Sequence, residues 1–427
     1  MGAADLDPQG RPVVVVTGMG LLTSLGEGVA DNWRKLTSGE SGIRRIARFP
    51  LGGLRTTIAG IVDFVPADPL CAPELSERMA ERVCEEAVAQ AGIGARADFP
   101  GPLFLALPPV ELEWPQRRAL AAAAGANAAV SYDDLLMAAG TGAFTAVYER
   151  FLFGSVAENL AVRFGTKGSP IAISTACASG ATAIQLAVEA IRRGETAAAL
   201  CAGTDASVNP ESLIRFSLLS ALSTRNDPPE AASRPFSKDR DGFVMAEGAA
   251  ALVLESLAAA RARGARILGV VEGCGETADS FHRTRSNPDG RSIIACVRNA
   301  LADADITPDE VDYINAHGTS TPENDRMEWQ CVCAVFGERA GSIPISSTKS
   351  MIGHTLTAAG AIEAVVSLLT LQHQRIPPTI NYTTPDPALP VYCVPNVACD
   401  ARMAHAISNS FGFGGQNVCL VLKPAPG

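Results

Sequence analysis

The sequence has no excess of positive charge and no run of basic residues. Its 427 residues contain 35 Lys and Arg against 45 Asp and Glu, which gives a formal net charge of −10. Nucleic-acid binding depends on lysine and arginine that neutralise phosphates, so this balance argues against a general DNA- or RNA-binding protein. We therefore expect no nucleic-acid partner.

Long apolar runs and targeting signals are also missing. No uninterrupted apolar run approaches the ~18 residues that a membrane helix needs, although 47% of the residues are hydrophobic. Residues 1–11 are polar and lack the charged-then-apolar pattern of a signal peptide. The sequence thus predicts a cytoplasmic protein with no membrane span, which begins with a short disordered segment at residues 1–11.

The eleven cysteines form neither a disulfide framework nor a metal-site pattern. They are scattered without regular spacing, whereas disulfide scaffolds and zinc sites place cysteines at characteristic intervals. Cys331 and Cys333 are an isolated C-x-C without a second ligand pair nearby, so we expect no bound metal. A dinucleotide is disfavoured as well, because the turn at Gly18 and Gly20 fails the G-x-G-x-x-G spacing.

One cysteine differs from the others by its surroundings. The apolar run Ile171–Ile173 predicts a buried strand, and apolar residues at helical spacing follow from residue 181 to 191. Cys177 lies at the turn between them, among small residues. A cysteine before a helix faces unpaired N–H groups and the positive end of the dipole, which favour the thiolate. An arbitrary cysteine is more often a small core residue, but this turn predicts a nucleophile for covalent acyl transfer.

A weak internal repeat predicts a duplicated α/β unit. Ile171-Ala-Ile-Ser precedes apolar positions 181, 184, 188 and 191, and Ile343-Pro-Ile-Ser precedes 359, 362, 366 and 369, with a loop six residues longer. The copies also end alike, in Leu252-Val-Leu-Glu and Leu420-Val-Leu-Lys. We expect two halves, 11–262 and 263–427, each a mixed sheet with helices on its faces, packed as one layered body.

The remaining apolar patterns predict elements around this duplicated core. Helices are expected over residues 28–40, 74–91 and 155–164, and strands over Leu103–Leu107 and Ala198–Ala202. The alanine-rich stretch 110–150 predicts helical inserts.

The second half carries polar residues where the repeat places the counterpart of the Cys177 turn. Lys349 and His354 lie on that loop, and His317 follows a predicted strand at residues 313–316. The chain has only five His, and these two stand among glycine and small hydroxyl residues. A single histidine is usually structural, but two on loops opposite a cysteine turn predict an active site. The glycine loop Phe411–Gly415 adds backbone N–H groups suited to an oxyanion hole.

Seven motifs resemble those of the β-ketoacyl-acyl-carrier-protein synthases, most closely the elongating type II enzymes of the thiolase superfamily. In chain order they are Val15-Val-Thr-Gly-Met-Gly, Thr175-Ala-Cys-Ala-Ser-Gly, Ser223-Thr-Arg-Asn-Asp, Arg240-Asp-Gly-Phe-Val, Asn315-Ala-His-Gly-Thr-Ser-Thr-Pro, Ser347-Thr-Lys-Ser-Met-Ile-Gly-His and Asn409-Ser-Phe-Gly-Phe-Gly-Gly. The resemblance covers nearly the whole chain. It implies an α/β, five-layer αβαβα fold of the duplicated thiolase type, a homodimer, and decarboxylative Claisen condensation between an acyl chain and malonyl carrier protein.

The same resemblance assigns catalytic roles to individual residues. It implies that Cys177 takes the acyl chain as a thioester, while His317 and His354 stabilise the enolate formed when the malonyl group loses CO₂. Two imidazole N–H donors aimed at the enolate oxygen suit that step physically. Lys349 matches the structural lysine of the family, and Glu363 on the following helix is its expected partner, which would orient the His354 loop.

Further residues match the substrate-binding parts of the family pattern. Thr319 and Thr321 match positions that bind the phosphopantetheine arm, and Phe413 matches the gating phenylalanine, flanked by Gly412 and Gly414. The resemblance implies that the Phe413 and Cys177 N–H groups form the oxyanion hole. It implies no metal and no bound cofactor, because the phosphopantetheine arm arrives with the acyl carrier protein.

The chain departs from the family pattern between residues 108 and 154. Family members have a glycine-rich segment that lines the inner end of the acyl pocket at the dimer interface, whereas this chain has Leu107-Pro-Pro-Val-Glu-Leu-Glu-Trp-Pro. The acyl length therefore cannot be copied from the family. The replaced segment points to a specialised and unusually long acyl chain.

Four alternative functions can be compared with these motifs. A non-catalytic chain-length-factor subunit lacks the nucleophile, whereas Cys177, His317 and His354 are all present here. A degradative thiolase uses a second cysteine as base and needs no histidine pair, and initiating synthases carry Asn in place of the second histidine. A polyketide-type ketosynthase is the nearest alternative, because its chemistry is the same.

Overall fold

The computed structural model describes residues 5–68, 70–93, 97–125 and 130–426. The strands are β1 (Val14–Thr23), β2 (Gly26–Glu27), β3 (Ile43–Arg45), β4 (Ile58–Gly60), β5 (Leu103–Ala106), β6 (Ile171–Ile173), β7 (Ala198–Asp205), β8 (Gly248–Ser256), β9 (Gly269–Ala278), β10 (Tyr313–Asn315), β11 (Ile345–Ser346), β12 (Arg375–Ile376), β13 (Cys399–Asp400), β14 (Ala406–Phe411) and β15 (Gln416–Pro424). The helices are α1 (Val29–Ser38), α2 (Ala72–Ala91), α3 (Trp114–Gly125), α4 (Tyr132–Ala139), α5 (Thr145–Arg150), α6 (Ser155–Phe164), α7 (Ser179–Arg192), α8 (Pro210–Leu218), α9 (Leu257–Ala262), α10 (Arg291–Asp303), α11 (Pro322–Phe336), α12 (Lys349–Ile352) and α13 (Ala359–His373).

Two five-stranded arrays with the same topology form the centre of the protein. The first runs β6-β5-β7-β8-β1 and the second β11-β10-β14-β15-β9, each with parallel pairing over its first three strands and antiparallel pairing thereafter. They meet where Val14–Val16 of β1 pair with Gly269–Val271 of β9. The predicted duplication of an α/β unit is confirmed by this repeated strand order.

Helices cover both faces of each array and give five layers. Alternate residues of β8 point to opposite sides: Leu252 and Leu254 pack with α7 and α13, whereas Ala251 and Val253 pack with α2 and α6. On β15, Val418 and Leu420 face α7 and α13, and Val421 packs with α10 and α11. This two-residue alternation is what a sheet buried on both faces requires. The layers follow the order αβαβα expected for the duplicated thiolase-type fold.

The two central helices touch through a reciprocal pair of glycines. A Cβ on Gly180 would lie 2.5 Å from the Ala361 nitrogen, and one on Gly360 would lie 2.5 Å from the Ala181 nitrogen. No side chain fits at either position, so the helices can approach this closely only with glycine. This reciprocity aligns residue 181 with 361, whereas the sequence repeat paired 181 with 359. The duplication was therefore predicted correctly, but its register was wrong by two residues.

Two other expectations concern a membrane span and the N-terminus. The stretch Leu356–His373 has the length and mean hydropathy of a membrane-spanning helix, but it contains Glu363 and 89% of it is buried inside the protein between the two arrays. The absence of a membrane span stays a prediction. Residues 5–11 are held in place, because Arg11 forms ion pairs with Asp7 and Asp303, so they are not a disordered segment. Residues 1–4, which belong to the same prediction, lie outside the described residues.

Most local predictions agree with the structure. α6 occupies the predicted residues, and α3, α4 and α5 are the helical inserts expected within 110–150. α2 begins two residues before the predicted start, with Pro73 near its N-terminus, a position that tolerates proline because its N–H would be unpaired. The division into halves at residues 262 and 263 remains a proposal. It falls where α9 ends, before β9 begins the second array.

Candidate active site

Cys177 lies in a strained turn between β6 and α7. A 3₁₀ turn over Ala176–Ala178 precedes the helix, and Ala176 adopts a positive φ of 49°, which is uncommon for a residue with a side chain. The Ser179 hydroxyl supports the turn, since it accepts from the Thr175 N–H at 2.8 Å and donates to the Ala176 carbonyl at 2.6 Å. The turn therefore holds the thiol at the start of α7, as expected.

His354 contacts the thiol directly. Its Nε2 lies 3.2 Å from the Cys177 sulfur, and its Nδ1 accepts from the Leu356 N–H at 3.2 Å. Because Nδ1 is the acceptor, the proton of the neutral ring sits on Nε2, which donates toward the sulfur. The Phe243 ring packs edge-on against the imidazole with a centroid separation of 5.4 Å. His354 is thus fixed as a hydrogen-bond donor into the site.

His317 completes the group, and its loop is held by a buried carboxylate that the sequence analysis did not identify. The His317 and Gly318 N–H groups donate to the two oxygens of Glu328 at 2.8 Å each, and Asn409 donates to the same carboxylate at 3.2 Å. The His317 and His354 rings are 5.4 Å apart and nearly perpendicular. Glu328 lies on α11 among the buried residues of that helix. A charged residue on the apolar side of a helix is the one feature of the sequence that could have indicated its role.

Lys349 and Glu363 form the buried pair that the sequence analysis expected. Both side chains are 2% exposed and form an ion pair. The Lys349 ammonium also donates to the His317 carbonyl at 2.7 Å. Lys349 therefore links both histidine loops, since its own helix α12 leads into His354 while its ammonium holds the His317 backbone.

Burial dominates the protonation of the three reactive groups. It lowers the pKa of His317 and of His354 well below the usual value, with the nearby Lys349 charge acting in the same direction. Both imidazoles are therefore neutral at pH 7. Burial also raises the pKa of the Cys177 thiol to about 11, against the opposing effects of the Phe413 N–H and Lys349. Desolvation at this buried position therefore opposes the thiolate that the helix start favours.

The glycine loop Phe411–Gly415 lies over the thiol. The Phe413 N–H faces the Cys177 sulfur, and a Cβ on Gly412 would come within 3.3 Å of the Cys177 nitrogen. Gly414 has a φ of 91°, and its N–H donates to the Arg283 carbonyl at 2.8 Å. The glycine loop thus lies close to both the sulfur and the backbone nitrogen of Cys177.

A cavity of about 1060 Å³ opens onto the thiol and both histidines. Thr319 and Thr321 line it, with their hydroxyl oxygens 2.9 Å apart. The divergent segment lines it too, from Leu107 to Glu113. The cavity is large enough for an acyl chain with its pantetheine arm, and a pocket of this size is typical of small-molecule sites.

Cys177, His317 and His354 also have the composition of a metal site. Their ligand atoms all lie within 4.8 Å of one another. In the tautomer fixed by the Leu356 N–H, however, Nε2 of His354 carries a proton and has no lone pair to give a metal. The geometry fits a nucleophile with two hydrogen-bond donors better than a metal centre.

The duplication also reveals what replaced the nucleophile in the second half. Leu356 has a positive φ of 46° in the 3₁₀ turn before α13, as Ala176 does before α7. The counterpart of Cys177 is therefore Thr357, whose hydroxyl donates to the buried Asp205 carboxylate at 2.7 Å. The same strained turn carries the reacting sulfur in one half and a structural hydrogen bond in the other.

Breaking the Lys349 and Glu363 pair is expected to lower both stability and activity. Lys349→Met leaves a buried carboxylate without its partner, which typically costs about 3–5 kcal/mol in the free energy of unfolding. The double variant Lys349→Met/Glu363→Leu should recover much of that stability, yet remain impaired because His317 has lost its anchor. Chemical denaturation and condensation rates measured on both variants separate the two effects. Full activity in the double variant would contradict a positioning role.

Comparison with known proteins gives matches over nearly the whole chain. The family model described as "Beta-ketoacyl synthase, N-terminal domain" matches residues 11–260, and that described as "Beta-ketoacyl synthase, C-terminal domain" matches residues 268–383. The chain is 38% identical to 3-oxoacyl-[acyl-carrier-protein] synthase 2 of Coxiella burnetii, over 96% of this chain and 98% of the relative.

Similar proteins also include polyketide enzymes. The tetracenomycin polyketide synthase ketoacyl synthase alpha subunit of Streptomyces glaucescens is 35% identical over 96% of this chain and 97% of its own length. A solved type II polyketide ketosynthase, AntDE with its acyl carrier protein AntF, superimposes with a TM-score of 0.85 at 33% identity. That match covers 97% of this chain and 100% of the other.

Proposed function

Because the chain belongs to the beta-ketoacyl synthase family, we propose that Cys177, His317 and His354 carry out its condensation reaction. The chain is an acyltransferase that joins an acyl group to malonyl-acyl carrier protein with loss of CO₂. The observation that supports these three residues most directly is their convergence. Although 177 positions separate Cys177 from His354, the sulfur and Nε2 lie 3.2 Å apart.

In the first step Cys177 takes the acyl group. Its sulfur attacks the carbonyl of the acyl-carrier thioester, the new C–S bond forms, and the pantetheine thiol leaves with the proton that the cysteine held. The Phe413 and Cys177 N–H groups stabilise the negative charge that develops on the carbonyl oxygen. His354 donates from Nε2 toward the sulfur and so favours the thiolate as the proton departs.

In the second step the malonyl group loses CO₂ and attacks. The bond between C2 and the carboxylate breaks, and its electron pair forms the thioester enolate. Neutral His317 and His354 donate hydrogen bonds to the enolate oxygen. C2 then attacks the acyl carbonyl on Cys177, a C–C bond forms, and the cysteine sulfur leaves as a thiolate and regains a proton. Thr319 and Thr321, which line the cavity, hold the pantetheine arm.

The carrier protein is proposed to dock at the mouth of this cavity, where two arginines are exposed. Arg283 and Arg285 line the mouth and form no ion pair with the residues that the structure describes. Two other arginine pairs are placed less well, because neither lines the cavity. Arg78 and Arg82 of α2 pair with Glu81 and Glu27. On α3, Arg117 lies near Glu111 and Arg118 is exposed.

Charge reversal at the mouth is expected to weaken use of the carrier. Arg283→Glu/Arg285→Glu should raise KM for acyl-carrier protein about 10-fold or more, because two attractive charges become repulsive toward an acidic partner. The rate with a small acyl-pantetheine thioester should be unchanged. Arg78→Glu/Arg82→Glu is the matched comparison, with the same charge change away from the mouth. A larger effect in that second variant would move the docking site to α2.

A homodimer is proposed on the basis of exposed apolar surface. β6 is the outer strand of the first array, and its Ile171 side chain is 43% exposed. The inserted helices expose Tyr132, Met137 and Tyr148, each more than 60% accessible. Exposed apolar residues beside a free sheet edge are typical of a protein–protein interface. Sedimentation equilibrium tests this proposal, and a monomer at micromolar concentration would contradict it.

We also propose a cytoplasmic location.

The acyl substrate is proposed to be a specialised and long chain, as the divergent segment suggested. Leu107–Glu113 line the cavity that would hold it. A fatty acyl chain and a polyketide chain both remain candidates, because relatives of both kinds are 35–38% identical to this chain. Intact-protein mass spectrometry of the group trapped on Cys177 after expression with candidate carriers tests the proposal. A short saturated acyl group would contradict it.

A further inference from the structure

Two of the carboxyl groups that line the acyl cavity, those of Glu113 and Glu211, have no part in the proposed catalysis. Glu113 lies in the divergent segment directly before α3, and Glu211 lies in the first turn of α8. Both line the same cavity as Cys177, and so does Ser76 of α2. Three elements distant in sequence therefore bring polar side chains to a space where a plain acyl chain would need only apolar contacts.

These groups are buried without enough partners. Glu113 is 4% exposed, and its Oε1 accepts from the Ala72 N–H at 2.5 Å, but its Oε2 has no hydrogen-bond partner among the described residues. The same holds for both carboxylate oxygens of Glu211 and for the hydroxyl of Ser76, which is 2% exposed. Buried polar atoms are nearly always paired in folded proteins, so these atoms lack the hydrogen-bond donors that such atoms normally have.

No cation of the described chain neutralises the two carboxyl groups. Of the nearby arginines, Arg48 is paired with buried Glu247 and Arg215 with Glu111. Burial raises the pKa of Glu113 to about 7, the Ala72 N–H opposes this, and the Glu211 charge raises the pKa further. Both carboxyl groups line the same cavity.

We propose that this part of the cavity recognises an acyl chain that carries a hydrogen-bond donor, either a hydroxyl or a protonated amine. The ionised form of a carboxyl group only accepts hydrogen bonds, and a ligand that donates to it favours that form. A chain of methylene groups would cover the carboxyl groups and leave them unpaired, whereas a donor would complete them with charge-assisted hydrogen bonds. This inference rests on the proposed function, because it concerns the acyl group that Cys177 receives.

A series of acyl-pantetheine thioesters of one length tests the inference. The series has a plain chain, chains with a hydroxyl at each successive carbon, and the matching amino chains. We expect one substituent position to be used about 10-fold better in kcat/KM than the plain chain, because the carboxyl groups are fixed in the fold. Preference for hydroxyl or for amine identifies which donor the site takes.

Variants at the carboxyl groups make the test specific. Glu211→Leu should remove most of that preference and improve use of the plain chain, and it breaks no hydrogen bond of the described residues. Glu113→Gln should act in the same direction while keeping an oxygen for the Ala72 N–H. Glu111→Gln is the control, since Glu111 lines the cavity but is exposed and pairs with Arg215.

Two outcomes would overturn the inference. The first is that the unaltered enzyme uses the plain chain as well as, or better than, every substituted chain in the series. The second is that the Glu211→Leu variant keeps its substrate preference but its dimer dissociates in a sedimentation experiment. That result would identify a second copy of the chain as the partner of these carboxyl groups. In either case condensation of the plain chain through Cys177 would continue, so failure here is distinguishable from failure of the proposed function.

Discussion

Replacing Cys177 with alanine is expected to abolish condensation while leaving the fold intact. The variant removes the sulfur that is proposed to hold the acyl group, and loss of a covalent nucleophile typically lowers kcat by about 10⁴-fold or more. The change is small in volume, and the turn is held by Ser179 rather than by the sulfur. Intact-protein mass spectrometry should show acyl transfer to the unaltered enzyme and none to the variant.

The control for this experiment is another cysteine. Cys333 is exposed on α11, so a simple alkylating reagent reaches it more easily than Cys177, which is 7% exposed. Acylation by a substrate thioester is therefore the better measure of the nucleophile. Cys333→Ala should leave acylation and condensation unchanged, and the thermal unfolding midpoint of each variant checks the fold. Condensation that survives in Cys177→Ala would remove this residue from the mechanism.

Loss of either histidine is expected to stop the second step and spare the first. Replacing His317 or His354 with alanine removes one hydrogen-bond donor to the enolate, and removal of one such donor costs about 10²–10³-fold in rate. Release of CO₂ from malonyl-carrier protein measures this step directly. Acylation of Cys177 should persist in both variants, although more slowly in His354→Ala, because that imidazole also donates toward the sulfur.

A conservative variant separates hydrogen bonding from proton transfer. Glutamine at position 354 keeps an N–H donor but cannot exchange protons near neutral pH. His354→Gln should therefore retain more decarboxylation than His354→Ala if donation is the role of this residue. Equal loss in both variants would indicate proton transfer, and unchanged CO₂ release in both alanine variants would exclude the histidine pair from the reaction.

Much of the chemistry could be predicted from short stretches of the sequence. The turn around Cys177 combines an apolar strand, small residues and a helical pattern within about twenty positions, and each of these signals acts over a short range. The motifs around His317 and His354 are equally local, and their order along the chain indicated the family. The duplication was visible too, because hydrophobic spacing is repeated wherever two helices pack in the same way.

The register of that duplication could not be predicted from the sequence. Apolar positions recur every three or four residues along a helix, so a shift of two residues still matches several of them. The reciprocal contacts of Gly180 with Ala361 and of Gly360 with Ala181 fix the alignment, and they join residues that are far apart along the chain. The equivalence of Cys177 with Thr357 follows from it, as does the hydrogen bond from Thr357 to Asp205.

By itself the sequence determined the reaction class and predicted the nucleophile and the two histidines, because each is marked by its immediate neighbours. The tertiary structure alone decided how these groups are buried and supported. Burial raises the pKa of the Cys177 thiol, Glu328 holds the His317 loop, and Glu113 and Glu211 line one cavity. The physical reason is that desolvation and pairing depend on atoms brought together by folding, which the spacing of residues along the chain does not record.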